Sequence, residues 1–370
     1  MGILRTILAI AVVFAHSDWH GGFVLVGGQA AVQCFYVISG YLISYVLLNN
    51  KSYSKSLRFY ANRALRIYPV YLFVALLSLI AIFFVGNTGF VAIYRKAPAS
   101  AVCLLVFSNI FLFGQDWVMF SGVHGGHLYF AKNYADSDVL LFNGLLAPQA
   151  WTLGIELTFY LLAPFILRNR KILLTLLIVS FVLRLCLLVD GIGFKDPWTY
   201  RFFPTELGLF LFGALSQQVI APIWQRVIGT RKALPQLGTS FLVVFSLTYF
   251  LIPVPHIYLL PVYLVLAIVV LPLAFFFQGT MAFDRWIGDL SYPIYIGHML
   301  VVKSLKPVFR MVHIQNDLMI AIVNVIVAIL FAIFLNELIA KRFESLRKKF
   351  RSVGKSQADR GTSAFVTTET

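Results

Sequence analysis

Long apolar runs dominate the chain, and most of them approach the length needed to cross a membrane. A spanning helix needs about 20 mostly apolar residues. Runs such as 318–335 lack the alternation of a barrel strand, and lipid offers the backbone no hydrogen-bond partners, so these runs predict helices. The segments are 3–19, 29–48, 67–86, 100–114, 145–167, 172–190, 203–220, 237–252, 257–277, 287–304 and 318–340. We therefore predict an all-α polytopic membrane protein.

Four clusters of Lys and Arg separate these segments and predict their orientation. They lie at 51–66, 168–171, 226–232 and 341–370. Basic loops of membrane proteins stay in the cytoplasm. If all eleven segments crossed, the first two clusters would lie on opposite sides. Segment 100–114 is the shortest and is flanked by Pro98 and Gly114, so we interpret it as re-entrant or interfacial. About ten transmembrane helices then remain, with both termini cytoplasmic.

This topology divides the chain into a membrane domain, 1–340, and a basic, disordered cytoplasmic tail, 341–370. The outer loops are expected at 20–28, 86–144, 191–202, 253–256 and 305–317. Segment 3–19 could instead be a signal peptide. Cleavage there would remove one crossing and spoil the parity of the predicted topology, so we favour a first transmembrane helix.

Composition excludes most other classes. The chain of 370 residues is 60% hydrophobic and 12% charged, whereas soluble domains are about 45–50% apolar and about 25% charged. The net charge of +15 could indicate a nucleic-acid partner, but cytoplasmic loops of a membrane protein account for it. We expect no nucleic-acid partner and no metal site. We expect Cys34, Cys103 and Cys186 to be inert packing residues, because all three lie in apolar stretches.

Four ionisable side chains are predicted at similar depths inside the membrane. They are His16, Glu156, Arg184 and His298. At a rise of about 1.5 Å per residue, each lies roughly 16–20 Å from the basic residue that marks the inner end of its segment. Ionisable residues at that depth are costly and usually functional. The pattern predicts a polar chamber within the bundle.

His16 and Glu156 could form the catalytic part of this chamber. A His can abstract a proton from a hydroxyl, and a neighbouring carboxylate can fix the ring tautomer and stabilise the imidazolium. The alternative is a pair of separately satisfied polar residues.

Arg63 and Arg66 form a second candidate site at the inner end of the third crossing. Residues three apart share a helix face, and paired guanidinium groups bind phosphate well. Ordinary anchoring at the cytoplasmic side is the alternative. The small residues of Gly27-Gly28 and Ser39-Gly40 are expected to allow close helix packing.

Five motifs in order resemble one family. They are Arg5 with His16 eleven positions later; the stretch 28–43 with Phe35-Tyr36-Val37-Ile38-Ser39-Gly40-Tyr41; Arg63-Ala64-Leu65-Arg66-Ile67-Tyr68-Pro69; Trp151-Thr152-Leu153-Gly154-Ile155-Glu156; and Ser291-Tyr292-Pro293-Ile294-Tyr295-Ile296-Gly297-His298. Together they cover roughly residues 4–300. The chain resembles the acyltransferase-3 family of integral-membrane O-acyltransferases.

The resemblance implies a ten-helix bundle in the inner membrane of a bacterium. It implies transfer of an acyl group, usually acetyl, from cytoplasmic acyl-CoA to a sugar hydroxyl of a cell-surface glycan such as O-antigen or exopolysaccharide. By position, His16 matches the family's essential His and Arg5 its partner. Arg63 and Arg66 match the double-Arg motif for the CoA phosphates, and Glu156 matches the family's acidic residue.

The departures from the family pattern are small: Thr152 replaces a usual Ser, and Gln33-Cys34 replaces a commoner Asp-Leu. Because no hydrolase-like domain follows the bundle, we expect direct delivery of the acyl group to a glycan or lipid-linked sugar acceptor. An acyl-His intermediate stays open.

Two other functions are consistent with a multi-pass bundle. One is a transporter or exporter of a lipid-linked sugar or small anion, although the sequence shows none of the inverted-repeat symmetry common in that class. The other is a non-catalytic membrane subunit whose tail recruits a partner. That alternative leaves His16 and Glu156 unexplained.

Overall fold

A computed structural model describes residues 1–17, 25–85, 88–229, 231 and 233–348. This part of the chain contains fourteen α-helices and one β-hairpin. The helices are α1 Gly2–Ala15, α2 Gly28–Asn49, α3 Ser56–Val85, α4 Thr88–Lys96, α5 Ala99–Phe111, α6 Gln115–Val118, α7 Trp151–Ile166, α8 Arg170–Val189, α9 Phe203–Leu215, α10 Ala221–Ile228, α11 Leu234–Thr248, α12 His256–Thr280, α13 Ala282–Met311 and α14 Asp317–Leu335. The antiparallel strands β1 (Ser121–His124) and β2 (His127–Phe130) turn at Gly125 and Gly126, both at positive φ.

Seven helical stretches within the described residues are long and apolar enough to cross a membrane. They are Gly28–Asn49, Ser56–Phe84, Arg170–Val189, Phe203–Ile228, Leu234–Leu251, His256–Gly279 and Asp317–Lys348. Gly2–Ala15 and Ala99–Phe111 are apolar but shorter. These stretches support the predicted helical membrane protein. The number of about ten crossings stays a prediction.

Helix α2 lies at the centre of the bundle, whereas α8 lies at its edge. In α2, 67% of the most apolar stretch is buried, compared with 17% in α8. Gly40 on α2 and Gly213 on α9 allow these two helices to touch backbone to backbone. A Cβ at Gly40 would lie 1.9 Å from the Phe210 carbonyl oxygen, and one at Gly213 would lie 2.0 Å from that of Val37. Small residues permit this close packing, as the sequence predicted for Gly40.

Helices α1 and α13 pack against each other and run in the same direction. Near the start of both, the buried Asp284 carboxylate accepts hydrogen bonds from Gly2 N and Ile3 N, at 2.8 and 2.7 Å. Thirteen to fourteen residues further along each helix, the rings of His16 and His298 are in contact. A carboxylate is favourable at a helix N-terminus, so Asp284 joins the two helices at that end.

Three predictions about the periphery can be compared with the structure. Helix α5 has 13 residues, about 20 Å, against an apolar core of about 30 Å; its length favours the re-entrant or interfacial interpretation of 100–114. Cys34 is buried, but Cys103 and Cys186 are exposed on apolar helices. The helix that begins at Asp317 continues to Lys348, so 341–348 is not a disordered tail; residues 349–370 lie outside the described part.

Candidate active site

A cavity of about 100 Å³ brings four of the five predicted site residues together. Helices α1, α2, α3, α7 and α13 each contribute to its wall. Arg5, Arg63, Arg66 and Glu156 line it, together with Ser39, Thr152, Tyr160, Ser291, Tyr292 and Tyr295. Among the predicted site residues, only His16 lies outside this lining.

Glu156 is held by two hydroxyl groups on the cavity wall. The Ser39 hydroxyl donates to Glu156 Oε1 at 2.6 Å, and the Tyr160 hydroxyl, one turn further along α7, donates to the same oxygen. Glu156 Oε2 has no hydrogen-bond partner among the residues that the structure describes. Since a carboxylate can accept several hydrogen bonds, this second oxygen can accept one from a group in the cavity.

The three arginines bring more positive charge to the cavity than the protein balances. Arg63 is buried, with a guanidinium 5.6 Å from the Phe59 ring centroid and 5.9 Å from that of Tyr160. Its Nε atom is buried without a partner. No ion pair to Arg5, Arg63 or Arg66 is present in the described part of the chain. Unpaired buried charge is costly, so the arrangement indicates a site for an anion.

His16 lies at the end of α1, about 16 Å beyond Arg5 by helix rise. Its Nδ1 is 2.8 Å from the Val12 carbonyl oxygen. A carbonyl can only accept, so Nδ1 carries the proton and Nε2 keeps a lone pair. The residue is exposed on one side, and its ring centroid lies 5.0 Å from that of the fully buried His298. The geometry leaves His16 Nε2 available as a base.

Tyr295 links the cavity wall to the two histidines, and Thr152 lies beside it on the same wall. The two hydroxyl oxygens are 2.7 Å apart, and Tyr295 OH donates to the Gln149 carbonyl at 2.9 Å. Both residues line the cavity. On its other side, the Tyr295 ring centroid is 5.8 Å from that of His298. The hydroxyl pair therefore lies on the part of the cavity wall that is next to the histidine pair.

No hydrogen bond joins His16 and Glu156 in the part of the chain that the structure describes, which differs from the pairing that the sequence suggested. Within the described residues, Glu156 is bonded to Ser39 and Tyr160, and His16 to Val12. The depth estimate from helix rise ignored the direction in which each side chain points around its helix. The backbone of α1 supplies the tautomer control that was assigned to the carboxylate.

Arg184 and His298 do not line the arginine cavity, although their estimated depths in the membrane predicted one shared chamber. Arg184 Nη2 forms a 2.7 Å ion pair with the fully buried Glu206, and Gln33 Nε2 donates to the same carboxylate at 3.3 Å. Arg184 lines a separate, mainly apolar cavity of about 910 Å³ between α2, α8, α9 and α12. The one expected chamber is therefore three separate polar clusters.

Sequence reasoning missed several residues of the cavity. Ser39 was expected only to allow packing, yet it binds Glu156. Tyr160 and Tyr292 were present in or beside the motifs without an assigned role. Spacing of four on α7 could have indicated Tyr160, because residues i and i+4 share a helix face. In the described residues, no group of three or more His, Cys, Asp or Glu could hold a metal ion.

A family model described as an acyltransferase domain matches residues 1–337. The chain belongs to the acyltransferase-3 family. This membership confirms the resemblance, and it agrees with the position of the motifs: all five meet in or beside the arginine cavity.

Two curated relatives are similar to this acyltransferase-3 chain. The peptidoglycan O-acetyltransferase OatA of Listeria monocytogenes is 28% identical over 341 residues, which cover 83% of this chain and 50% of the relative. The O-acetyltransferase OatA of Staphylococcus aureus is 28% identical over 237 residues, 60% of this chain and 34% of the relative. The chain thus spans about half or less of the length of these relatives. No solved structure gives a significant match.

Proposed function

We propose that this chain transfers an acetyl group from cytoplasmic acetyl-CoA to a hydroxyl of a cell-surface glycan. Three arginines without carboxylate partners around one cavity are the observation that carries this proposal. Acetyl-CoA carries several phosphate groups, and guanidinium groups bind phosphate through paired hydrogen bonds. Family membership and two relatives named O-acetyltransferases support the reaction class.

Arg5, Arg63 and Arg66 would hold the CoA phosphates at the cytoplasmic end of the cavity. A cavity of about 100 Å³ suits a thin arm such as pantetheine better than a nucleotide, so the nucleotide would stay near the inner surface. The thioester would then reach Thr152 and Tyr295 at the other end. Their hydroxyls would stabilise the negative charge that develops on the carbonyl oxygen.

His16 would act as the general base from the outer side. Its Nε2 lone pair takes the proton of the acceptor hydroxyl, the oxygen forms a bond to the acetyl carbon, and the carbon–sulfur bond of the thioester breaks. The proton then passes from His16 to the departing sulfur, which leaves as CoA. In this scheme Glu156 remains a site residue on the cavity wall that Arg5, Arg63 and Arg66 also line, and it is not the partner of the His16 ring.

The acceptor is proposed as a glycan of the bacterial envelope, with O-antigen or exopolysaccharide as the expected classes. The Listeria relative is named for peptidoglycan, which makes peptidoglycan a third class to assay.

We further propose that the protein lies in the bacterial inner membrane with its N-terminus in the cytoplasm, because the basic clusters then lie on the cytoplasmic side. A reporter fused after Ser137 should read the outer side, and a cytoplasmic reading would overturn this orientation.

Glycan analysis of strains that lack or regain the chain tests the function. Mass spectrometry and NMR of the three glycan classes should show an acetyl group that disappears on deletion and returns with the wild-type chain. It should not return with His16→Ala, because loss of a general base typically costs about 10²–10⁴ in rate. Unchanged acetylation in all three classes on deletion would refute the proposal.

A further inference from the structure

His298 is a buried ring with one nitrogen that nothing in the described structure satisfies. It lies on α13 and is 0% exposed. Its Nδ1 is 2.6 Å from the Tyr295 carbonyl oxygen, and its Nε2 has no hydrogen-bond partner. Buried polar atoms are nearly always paired, so an unpaired one needs an explanation.

The two hydrogen bonds to carbonyls assign the same tautomer to both histidines. Tyr295 O and Val12 O can only accept, so Nδ1 carries the proton in His298 and in His16. Both Nε2 atoms therefore hold a lone pair in the resting protein. Each Nε2 can therefore accept a hydrogen bond.

The ring of His16 lies directly beside the ring of His298. In the described part of the chain, the rings in contact with His298 are those of His16 at 5.0 Å and Tyr295 at 5.8 Å. Tyr295 already uses its hydroxyl on Thr152 and Gln149. His16 is the neighbour that gains a proton in the proposed reaction.

We propose that His298 is a positioning residue whose Nε2 accepts a hydrogen bond from the Nε2–H that His16 gains. When His16 takes the proton of the acceptor hydroxyl, His298 Nε2 orients and stabilises the resulting imidazolium. The proton stays on His16 until the carbon–sulfur bond breaks, and then it passes to the CoA sulfur. This inference rests on the proposed acetyl transfer, but it concerns a residue outside the acetyl-CoA cavity.

Two substitutions distinguish this role from a purely structural one. In His298→Asn the side-chain amide can replace Nδ1–H and keep the bond to Tyr295 O, but nothing replaces Nε2. In His298→Gln the longer side chain can place a carbonyl oxygen near the Nε2 position. A structural role therefore predicts that Asn is the better replacement, whereas our inference predicts that Gln is.

The experiment measures acetyl-CoA-dependent acetylation by the full chain in membranes, normalised to the amount of folded protein. His298→Asn should lower kcat at least tenfold while the KM for acetyl-CoA stays within twofold, and His298→Gln should recover part of that loss. His313→Asn is the matched control at the exposed C-terminal end of α13, where a positive φ of 54° suits Asn. It should keep wild-type kinetics.

The outcomes separate the two proposals. If the wild type acetylates, His16→Ala is inactive and His298→Asn matches the wild type, the inference about His298 is wrong and the function stands. A higher kcat for His298→Asn than for His298→Gln would also overturn it, in favour of a structural role. If the wild type transfers no acetyl group, the proposed function fails, and the role of His298 fails with it.

Discussion

Arg184 and Arg63 differ in how the protein balances their charge. Arg184 is neutralised by Glu206 at 2.7 Å, and Gln33 and the Thr205 carbonyl complete the network. Arg63 lies beside the rings of Phe59 and Tyr160, and in the described part of the chain it has no ion pair and its Nε has no partner. The first arrangement is complete without a ligand, while the second would be completed by the anion that we propose. Pairing, more than depth, distinguishes a structural charge from a binding charge.

The largest effect is expected from breaking the completed pair. Arg184→Met leaves Glu206 buried without its cation, which costs about 3–5 kcal/mol of folding stability. The unfolding midpoint of the detergent-solubilised protein should fall sharply. The double variant Arg184→Met/Glu206→Leu removes both charges and should recover most of the loss, since apolar replacement of a buried pair is often neutral. If Arg184→Met is as stable as the wild type, the pair of Arg184 and Glu206 does not have the structural role that we assign to it.

The next largest effect is expected at the incomplete set. Arg63→Ala should leave stability near wild type and raise the KM for acetyl-CoA roughly ten- to hundredfold, because a charged hydrogen bond is worth about 1.5–3 kcal/mol. Arg63→Lys keeps the charge but loses the fork, so its KM should be intermediate. Arg58→Ala, on the same helix but outside the cavity lining, is the control. Unaltered KM values in both Arg63 variants would contradict the anion site.

Gly40 and Ser39, which are adjacent on α2, show the same contrast between a structural role and a role in the site, with smaller expected effects. Gly40→Ala places a Cβ against the Phe210 carbonyl and should cost about 1–3 kcal/mol of stability. Ser39→Ala removes one hydrogen bond to Glu156, worth about 1 kcal/mol, and should lower the acetylation rate about fivefold with little change in stability. Thermal unfolding and initial rates on both variants check this. If both variants lose stability and acetylation rate to the same extent, Gly40 and Ser39 do not differ in role as we expect.

The smallest effect concerns a buried acid that avoids an unpaired charge by keeping its proton. Asp116, in α6 outside the spanning helices, is buried, and burial raises its pKa from 3.8 to about 7. Because the folded pKa lies above the ordinary value, its contribution to stability is present at low pH and is lost as pH rises through about 7. Between pH 6 and 8 the wild type should lose about 1 kcal/mol of stability that Asp116→Asn retains. Parallel pH curves for the two proteins would disprove the shift.

Hydropathy predicted the helices well but their ends poorly. Segment 287–304 became α13, Ala282–Met311, because charged residues at both ends continue the helix outside the apolar stretch. Segment 145–167 became the shorter α7, since Pro148 and its neighbours belong to the preceding loop. Helix α3 begins at Ser56, so Arg63 and Arg66 lie within it and share a face as predicted.

The site could be predicted in its residues but not in its pairs. The sequence identified Arg5, Arg63, Arg66, Glu156 and His16, and the first four line one cavity. Spacing along a helix measures height, but the direction of a side chain around the axis depends on how neighbouring helices pack. Because the sequence does not reveal this direction, it did not predict that His16 contacts His298 or that Glu156 bonds to Ser39.

The contact between Thr152 and Tyr295 has a further consequence for a bundle in a membrane. A catalyst that takes one substrate from each side must let the two meet without opening a pore, because an open pore would discharge the ion gradients of the cell. Under the proposed function, these two hydroxyls, 2.7 Å apart on the cavity wall, would form the barrier between the two sides. In the proposed reaction only the small acyl group has to pass this barrier, so the cell keeps its membrane potential while its surface is modified.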